Sequence, residues 1–148
     1  MPFPSTITKS ITITAAPAVI WRVLTTPALI KEWISDDDIE TATTWQVGDP
    51  IIVSGKLHGT MPFENRGVVL QFEPEAVLRY TAWSKLNRLP DLPENHAVIE
   101  FRLAPADADH TLLTLILNQM NDATYEHYNF YWNVALYQIK LTAERQTP

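Results

Sequence analysis

Apolar and polar side chains alternate from Ile7 to Thr14, with Ile7, Ile11 and Ile13 on one parity. That period of two predicts a half-buried strand. Pro17 then stands where a first helical turn tolerates proline, and it opens the run AVIWRVLT. Thr26-Pro27 repeats the signal and starts a second short helix through Trp33 and Ile34. The polar triplet Asp36-Asp37-Asp38 ends it. Strand patterns follow at Ile39–Trp45, Pro50–Leu57, Gly67–Phe72, Ala76–Trp83, Ala97–Leu103 and Thr111–Asn118. Gly55, Gly59 and Pro62 predict a turn, Glu73-Pro74-Glu75 a tight connection, Leu86–Asn95 a loop, and Ala104–His110 a hairpin-like link. After Asn118 the period becomes helical, and Asn121 or Asp122 can cap a long helix reaching about Glu144.

Consecutive strands with short links make an antiparallel sheet, which can bury one face and wet the other. The last helix is the element long enough to cover that face. On it Tyr125, Tyr128, Asn129, Trp132, Leu136, Ile139 and Ala143 fall on one stripe. The expected fold is α+β: a curved antiparallel sheet of about six or seven strands wrapped around a long C-terminal helix, with two short helices after the first strand. Alternation places Gln71, Arg79, Glu100, Arg102 and Thr114 outside. It places Leu70, Phe72, Leu78, Tyr80, Ile99, Phe101, Leu103, Leu113, Leu115 and Leu117 inside. A second apolar stripe, Phe130, Val134, Tyr137 and Leu141, lies opposite Trp132, where the sheet does not reach. It is a candidate homodimer surface, and cover by Phe3 and the N-terminal prolines is the alternative.

Composition narrows the function. The 148 residues suit one domain spanning 1–148, and 46% apolar with 19% charged is globular rather than disordered. There is no cysteine, which removes disulfides, thiol nucleophiles and thiolate metal sites. A net charge of −6 gives no basic footprint for nucleic acid. No apolar run reaches the ~20 residues of a membrane span, and residues 1–10 do not read as a signal peptide. A cytoplasmic address is the default expectation.

Catalytic motifs are missing. The chain has no GxSxG, no HExxH, no phosphate-cradling glycine loop and no nucleotide fingerprint. His58, His96, His110 and His127 share no ligand spacing, and Asp36–Asp38 lacks the spacing and glycine of a calcium loop. No catalytic residue, metal or cofactor is expected on these grounds.

The segments TAAPAVIWRVLTTPALIKEW, GVVLQFEPEAVLRYTAW, TLLTLILN and YWNVALYQIKLTAE resemble the START-like (SRPBCC) superfamily. Within it they are most similar to the group named for the activator of the 90-kDa heat-shock chaperone's ATPase. The matching residues are Pro17, Ile20 and Trp21; Trp33; Gly67, Val69, Pro74, Leu78 and Thr81; and Trp132, Leu136, Ile139 and Lys140. Ala82 departs from the pattern, which favours Trp there; Trp83 comes one position later, leaving its face open. Gly48-Asp49-Pro50 replaces a glycine-rich strand entry. The resemblance implies a helix-grip fold with a cavity between sheet and long helix, suited to a small hydrophobic or amphipathic ligand. Its implied lining is Trp33, Leu70, Tyr80, Phe101, Leu115, Tyr128, Asn129 and Trp132, with Tyr80, Tyr128 and Asn129 as the polar groups. Two other roles follow from the resemblance. One is regulation of a chaperone ATPase, which the length disfavours because the activators carry an additional N-terminal domain. The other is a polyketide cyclase-like enzyme, which needs an inward acid or base; Glu64 and His58 come nearest.

Overall fold

The computed structural model describes residues 6–34, 38–57, 60–84, 89–120 and 122–146, without the side chains of 38, 57, 122–124 and 127. Among these residues the chain runs through β1 (Ile7–Ile13), α1 (Pro17–Thr25), α2 (Pro27–Ile34), β2 (Asp38–Thr43), β3 (Pro50–Leu57), β4 (Met61–Glu73), β5 (Val77–Ser84), β6 (Ala97–Pro105), β7 (Thr111–Asn118) and α3 (Asp122–Gln146). All seven strands pair antiparallel in one sheet, in the order β1-β7-β6-β5-β4-β3-β2. Helix α3 packs against β1, α1 and α2. The expected α+β helix-grip arrangement is what the chain adopts.

Local chemistry explains the breaks between elements. Helix α1 closes when the Thr26 N–H donates to the Arg22 carbonyl at 2.9 Å, and Pro27 restarts the chain as α2. Ile20, Trp21, Val23 and Leu24 of α1 and Ile30 and Trp33 of α2 are buried. Strand β2 stops at Thr43, short of the expected Trp45, because Trp45 turns left-handed at φ 61°. The Trp45 indole donates to the Thr25 carbonyl at 2.9 Å, and its ring stacks 5.7 Å from Phe72.

Register defines the concave face. One row crosses the sheet as Lys9, Leu115, Phe101, Leu78 and Phe72; the next as Ile7, Leu117, Ile99, Tyr80 and Val69. Val53 and Asn65 are paired on the same face farther out, as are Gly55 and Phe63.

Several expectations need correction. Gly55 and Pro62 are not in a turn but inside β3 and β4, and β4 begins at Met61 rather than Gly67; Gly59 lies outside the described residues. Leu70 does not face inward. Val69 pairs with Tyr80 and Phe72 with Leu78, so β4 carries one extra residue between Val69 and Phe72. That bulge turns Leu70 out, 38% exposed, because one inserted residue breaks the alternation. Just before the bulge, Gly67 is needed for space: a Cβ there would sit 1.7 Å from the Thr81 carbonyl oxygen.

Trp83 lies on the convex face, opposite in parity to Tyr80. It is buried nonetheless: its indole donates to the Leu89 carbonyl at 3.1 Å, and the Arg66 guanidinium lies 5.7 Å over the ring. Glu100 is also on this face, covered by Arg79 and Arg102.

Candidate functional site

The two halves of the concave face differ in packing. Towards β1, β7 and β6, the side chains of Ile13, Leu113, Leu115, Leu117, Ile99 and Phe101 are all buried. Towards β3, β4 and β5, Ile51, Val69, Leu78 and Ala82 are buried, but their inward-facing neighbours Val53, Phe63, Asn65, Tyr80 and Ser84 are only half-buried. Helix α3 repeats the contrast along its length. Trp132, Leu136, Ile139 and Ala143 are sealed, whereas Tyr125, Tyr128 and Asn129 in its first turns keep accessible surface.

The open parts meet around three phenols. Tyr80 of β5 is near enough to Tyr131 and Tyr128 of α3 to interact with them electrostatically. Burial first, and those neighbours second, push its hydroxyl far above the ordinary tyrosine range. Burial and then Tyr128 do the same to Tyr131, and burial alone raises Tyr128. All three therefore remain neutral O–H groups at physiological pH. All three also lie deep in the fold and yet retain accessible surface. Side chains with both properties border the packed core on its open side.

Aromatic rings form the wall behind them. Trp33 lies 6.0 Å from Trp132 and 6.2 Å from Phe101, and Phe101 lies 5.7 Å from Trp132 in edge contact. The Tyr80 ring is 6.5 Å from Phe101, and Tyr131 meets Trp132 edge-on at 5.2 Å. The rings are held from outside the cluster. The Trp33 indole donates to the Val23 carbonyl at 2.9 Å, and the Tyr131 hydroxyl donates to the Ile34 carbonyl at 3.3 Å. Two buried polar atoms nearby, Trp132 Nε1 and Asn65 Oδ1, have no hydrogen-bond partner among the described residues.

The structure thus gathers Trp33, Tyr80, Phe101, Tyr128 and Trp132 and separates the rest. Phe101 and Leu115 have no accessible surface, so they are packed floor. Asn129 turns towards β1, where its amide oxygen accepts from Lys9 Nζ at 2.7 Å. Leu70 is on the other side of the sheet. Tyr131, Asn65 and Lys9 were not anticipated. Tyr131 is off the sheet-facing stripe and is enclosed because α3 also packs on α2. Asn65 precedes the expected start of β4. Lys9 shares the parity of Ile7, Ile11 and Ile13, which was the available signal.

No acid or base among the described residues joins this space except Lys9 at its β1 side. Glu64, expected near the mouth, is on the convex face with Arg66. His96 bonds Thr81 and Asp91 there, and His110 bonds Asp107 in the β6–β7 link. His58 and the His127 side chain lie outside the described residues, as do Asp36 and Asp37. Among the described residues no group of three or more histidines and carboxylates could hold a metal ion, and no helix is long and apolar enough to cross a membrane.

Comparison with known proteins agrees with this architecture. Protein CV1439 from Chromobacterium violaceum superposes with a TM-score of 0.79 at 18% identity, covering 95% of this chain and 99% of that one. ChR145 from Cytophaga hutchinsonii gives a TM-score of 0.77 at 27% identity over 99% and 98% of the two chains. A structure described as the Aha1 dimer from Colwellia psychrerythraea gives 0.72 at 22% identity over 97% and 98%. No curated protein matches the chain. The family model described as Activator of Hsp90 ATPase homolog 1-like protein matches residues 14–144, nearly the whole chain, and the chain belongs to that family.

Proposed function

We propose that this domain is a binding module that takes a small hydrophobic or amphipathic molecule between the first turns of α3 and strands β4 and β5. One observation carries the reading: Tyr80, Tyr128 and Tyr131 are deep in the fold and still accessible, beside half-buried inward-facing Val53, Phe63 and Asn65. A folded core fills its interior to near-crystalline density. Inward side chains left accessible on one half of a sheet mark unfilled room. An apolar wall with few polar groups is the usual make-up of a small-molecule site.

A hydrophobic fluorescent probe titrated into the native protein tests this. Saturable binding, weakened by Tyr128→Ala in a variant that still unfolds cooperatively, is the expected result. Absence of saturable uptake by any apolar probe removes the reading.

The outer stripe of α3 supports a second proposal, self-association. Phe130, Val134 and Tyr137 are 73%, 48% and 53% exposed, and Leu141 is half-buried. A two-fold axis would cover the same stripe on both copies, and one relative of this fold is described as a dimer. Phe3, the alternative cover, lies outside the described residues. Sedimentation equilibrium decides: a dimer that Val134→Asp dissociates supports the interface, and a monomer at tens of micromolar rejects it.

A further inference from the structure

We infer that ligand uptake and self-association are coupled through the first turns of α3, each strengthening the other; the coupling rests on the ligand site and the two-fold interface proposed above. One stretch of helix serves both. Tyr125, Tyr128 and Asn129 are on the sheet-facing stripe and keep accessible surface, while Phe130 and Val134 of the same turns are on the outer stripe and exposed. With about 3.6 residues per turn, positions two apart such as Tyr128 and Phe130 fall on opposed sides of the helix.

Packing locates the coupled segment. On the later turns the inner face is closed by Leu136, Ile139 and Ala143, all buried. That end is also tied to β1, by Lys140 donating to the Thr12 carbonyl and by the Thr14 N–H donating to Glu144. Outer exposure falls along the helix from 73% at Phe130 to half-buried at Leu141. Between Tyr125 and Phe130 both faces keep accessible surface at once. A stretch with little buried surface on either side opens locally at a lower free energy than the rest of its element.

The sign follows from that loose hold. A guest against Tyr128 and Trp132 would fix the backbone of these turns from inside. A second copy against Phe130 and Val134 would fix the same backbone from outside. Tyr131 stands between the two faces: its hydroxyl donates to the Ile34 carbonyl of α2, its ring meets Trp132 edge-on at 5.2 Å, and Phe130 is its chain neighbour. Ordering a segment costs conformational entropy once, and a second event that uses the ordered segment bears less of that cost. The coupling is therefore positive, and by linkage it acts equally in both directions.

Sedimentation equilibrium and titration with N-phenyl-1-naphthylamine, a neutral apolar fluorophore, test this on the full chain. The dimer is expected to hold the probe at least roughly fivefold more tightly than the monomer obtained by dilution or by Val134→Asp, fivefold being the low end of ordinary coupling. Each dimer carries two sites, so saturating probe should lower the dimer dissociation constant by the square of that factor. Phe130→Ser provides a second monomeric variant should Val134→Asp misfold. Hydrogen exchange of the amides of residues 125–134 should slow when either the probe or the second copy is bound alone. A probe affinity equal in monomer and dimer, or a probe that loosens the dimer, overturns the inference while both sites stand. A chain that stays monomeric at tens of micromolar with and without probe removes the inference and the interface but leaves the ligand site. Absence of saturable probe uptake removes the inference and the ligand site but leaves the interface.

Discussion

The two halves of the concave face are built from one sheet and one helix, yet they solve different problems. Where β1, β7 and β6 meet the later turns of α3, leucine, isoleucine and alanine leave almost no surface accessible. Where β3, β4 and β5 meet its first turns, half-buried phenols and amides stand among the aliphatics and the same stripe of the helix opens. Tethers follow the same division. The closed half is pinned by Lys140 donating to the Thr12 carbonyl, by the Thr14 N–H donating to Glu144, and by Thr111 donating to the Ala15 carbonyl at 2.7 Å. The difference teaches that tight packing and open, polar-lined surface are spatially divided here. The closed half holds the fold, so the open half can leave Asn65 Oδ1 and the Tyr80 hydroxyl without partners among the described residues.

The largest expected effect tests that division directly. Leu136 is 5% exposed in the closed half. Leu136→Ala should cost about 2–5 kcal/mol in denaturant unfolding, the range for truncating a buried leucine. Tyr128→Ala, two turns earlier on the same stripe, should cost less than half as much despite removing a larger side chain. A comparable loss at both positions would mean that the halves are packed alike.

A matched pair of hydroxyl deletions sharpens the contrast. Thr111 has no exposed surface, and its hydroxyl is bonded to a buried carbonyl. Thr111→Val leaves that acceptor unsatisfied and should cost about 1–3 kcal/mol. Tyr80→Phe removes a hydroxyl that bonds nothing among the described residues. Its stability should change by no more than about 0.5 kcal/mol either way. If Tyr80→Phe destabilises as much as Thr111→Val, the Tyr80 hydroxyl has a structural partner and the open half is less open than its surface indicates.

The closed half was the more legible from sequence. Strand β7 begins and ends where alternation places it, and Leu113, Leu115, Leu117, Leu136 and Ile139 are buried as their spacing predicts. Periodicity reads such elements well because an unbroken period is what burial of one face requires. The open half defeated it in three places. The bulge at Leu70 adds one residue, and alternation carries no mark of an insertion. The β3–β4 hairpin is longer than Gly55 and Pro62 suggested, since both residues tolerate strand positions there, and Asn65 was missed with it. Tyr131 was missed because a single stripe assumes a single partner, whereas α3 has the sheet on one side and α2 on another. Trp83 shows the same limit from outside: parity alone would expose it, and the Leu89 carbonyl and Arg66 cover it.

The smallest effect concerns the tether at the closed end of α3. Glu144 accepts from Lys140 Nζ at 2.8 Å and from the Thr14 N–H at 2.9 Å. The Lys140 bond first, then the Thr14 bond, hold its carboxyl below the ordinary glutamate value. A carboxylate whose folded pKa is depressed contributes stability that is complete above its unfolded value and fades as pH falls through the folded one. The group is at the surface, so the contribution is that of a solvent-screened pair, about 0.2–1 kcal/mol. Glu144→Gln keeps the shape and removes the charge. Urea midpoints for parent and variant, measured from pH 7 down to pH 3, should therefore differ at neutral pH and converge in acid. High salt should narrow the gap at pH 7, because an exposed pair is screened. A gap that persists undiminished at pH 3 would assign the loss to packing rather than charge. The β1–α3 clamp would then be held by its apolar contacts alone, and the contrast between the halves would rest on burial without electrostatic help.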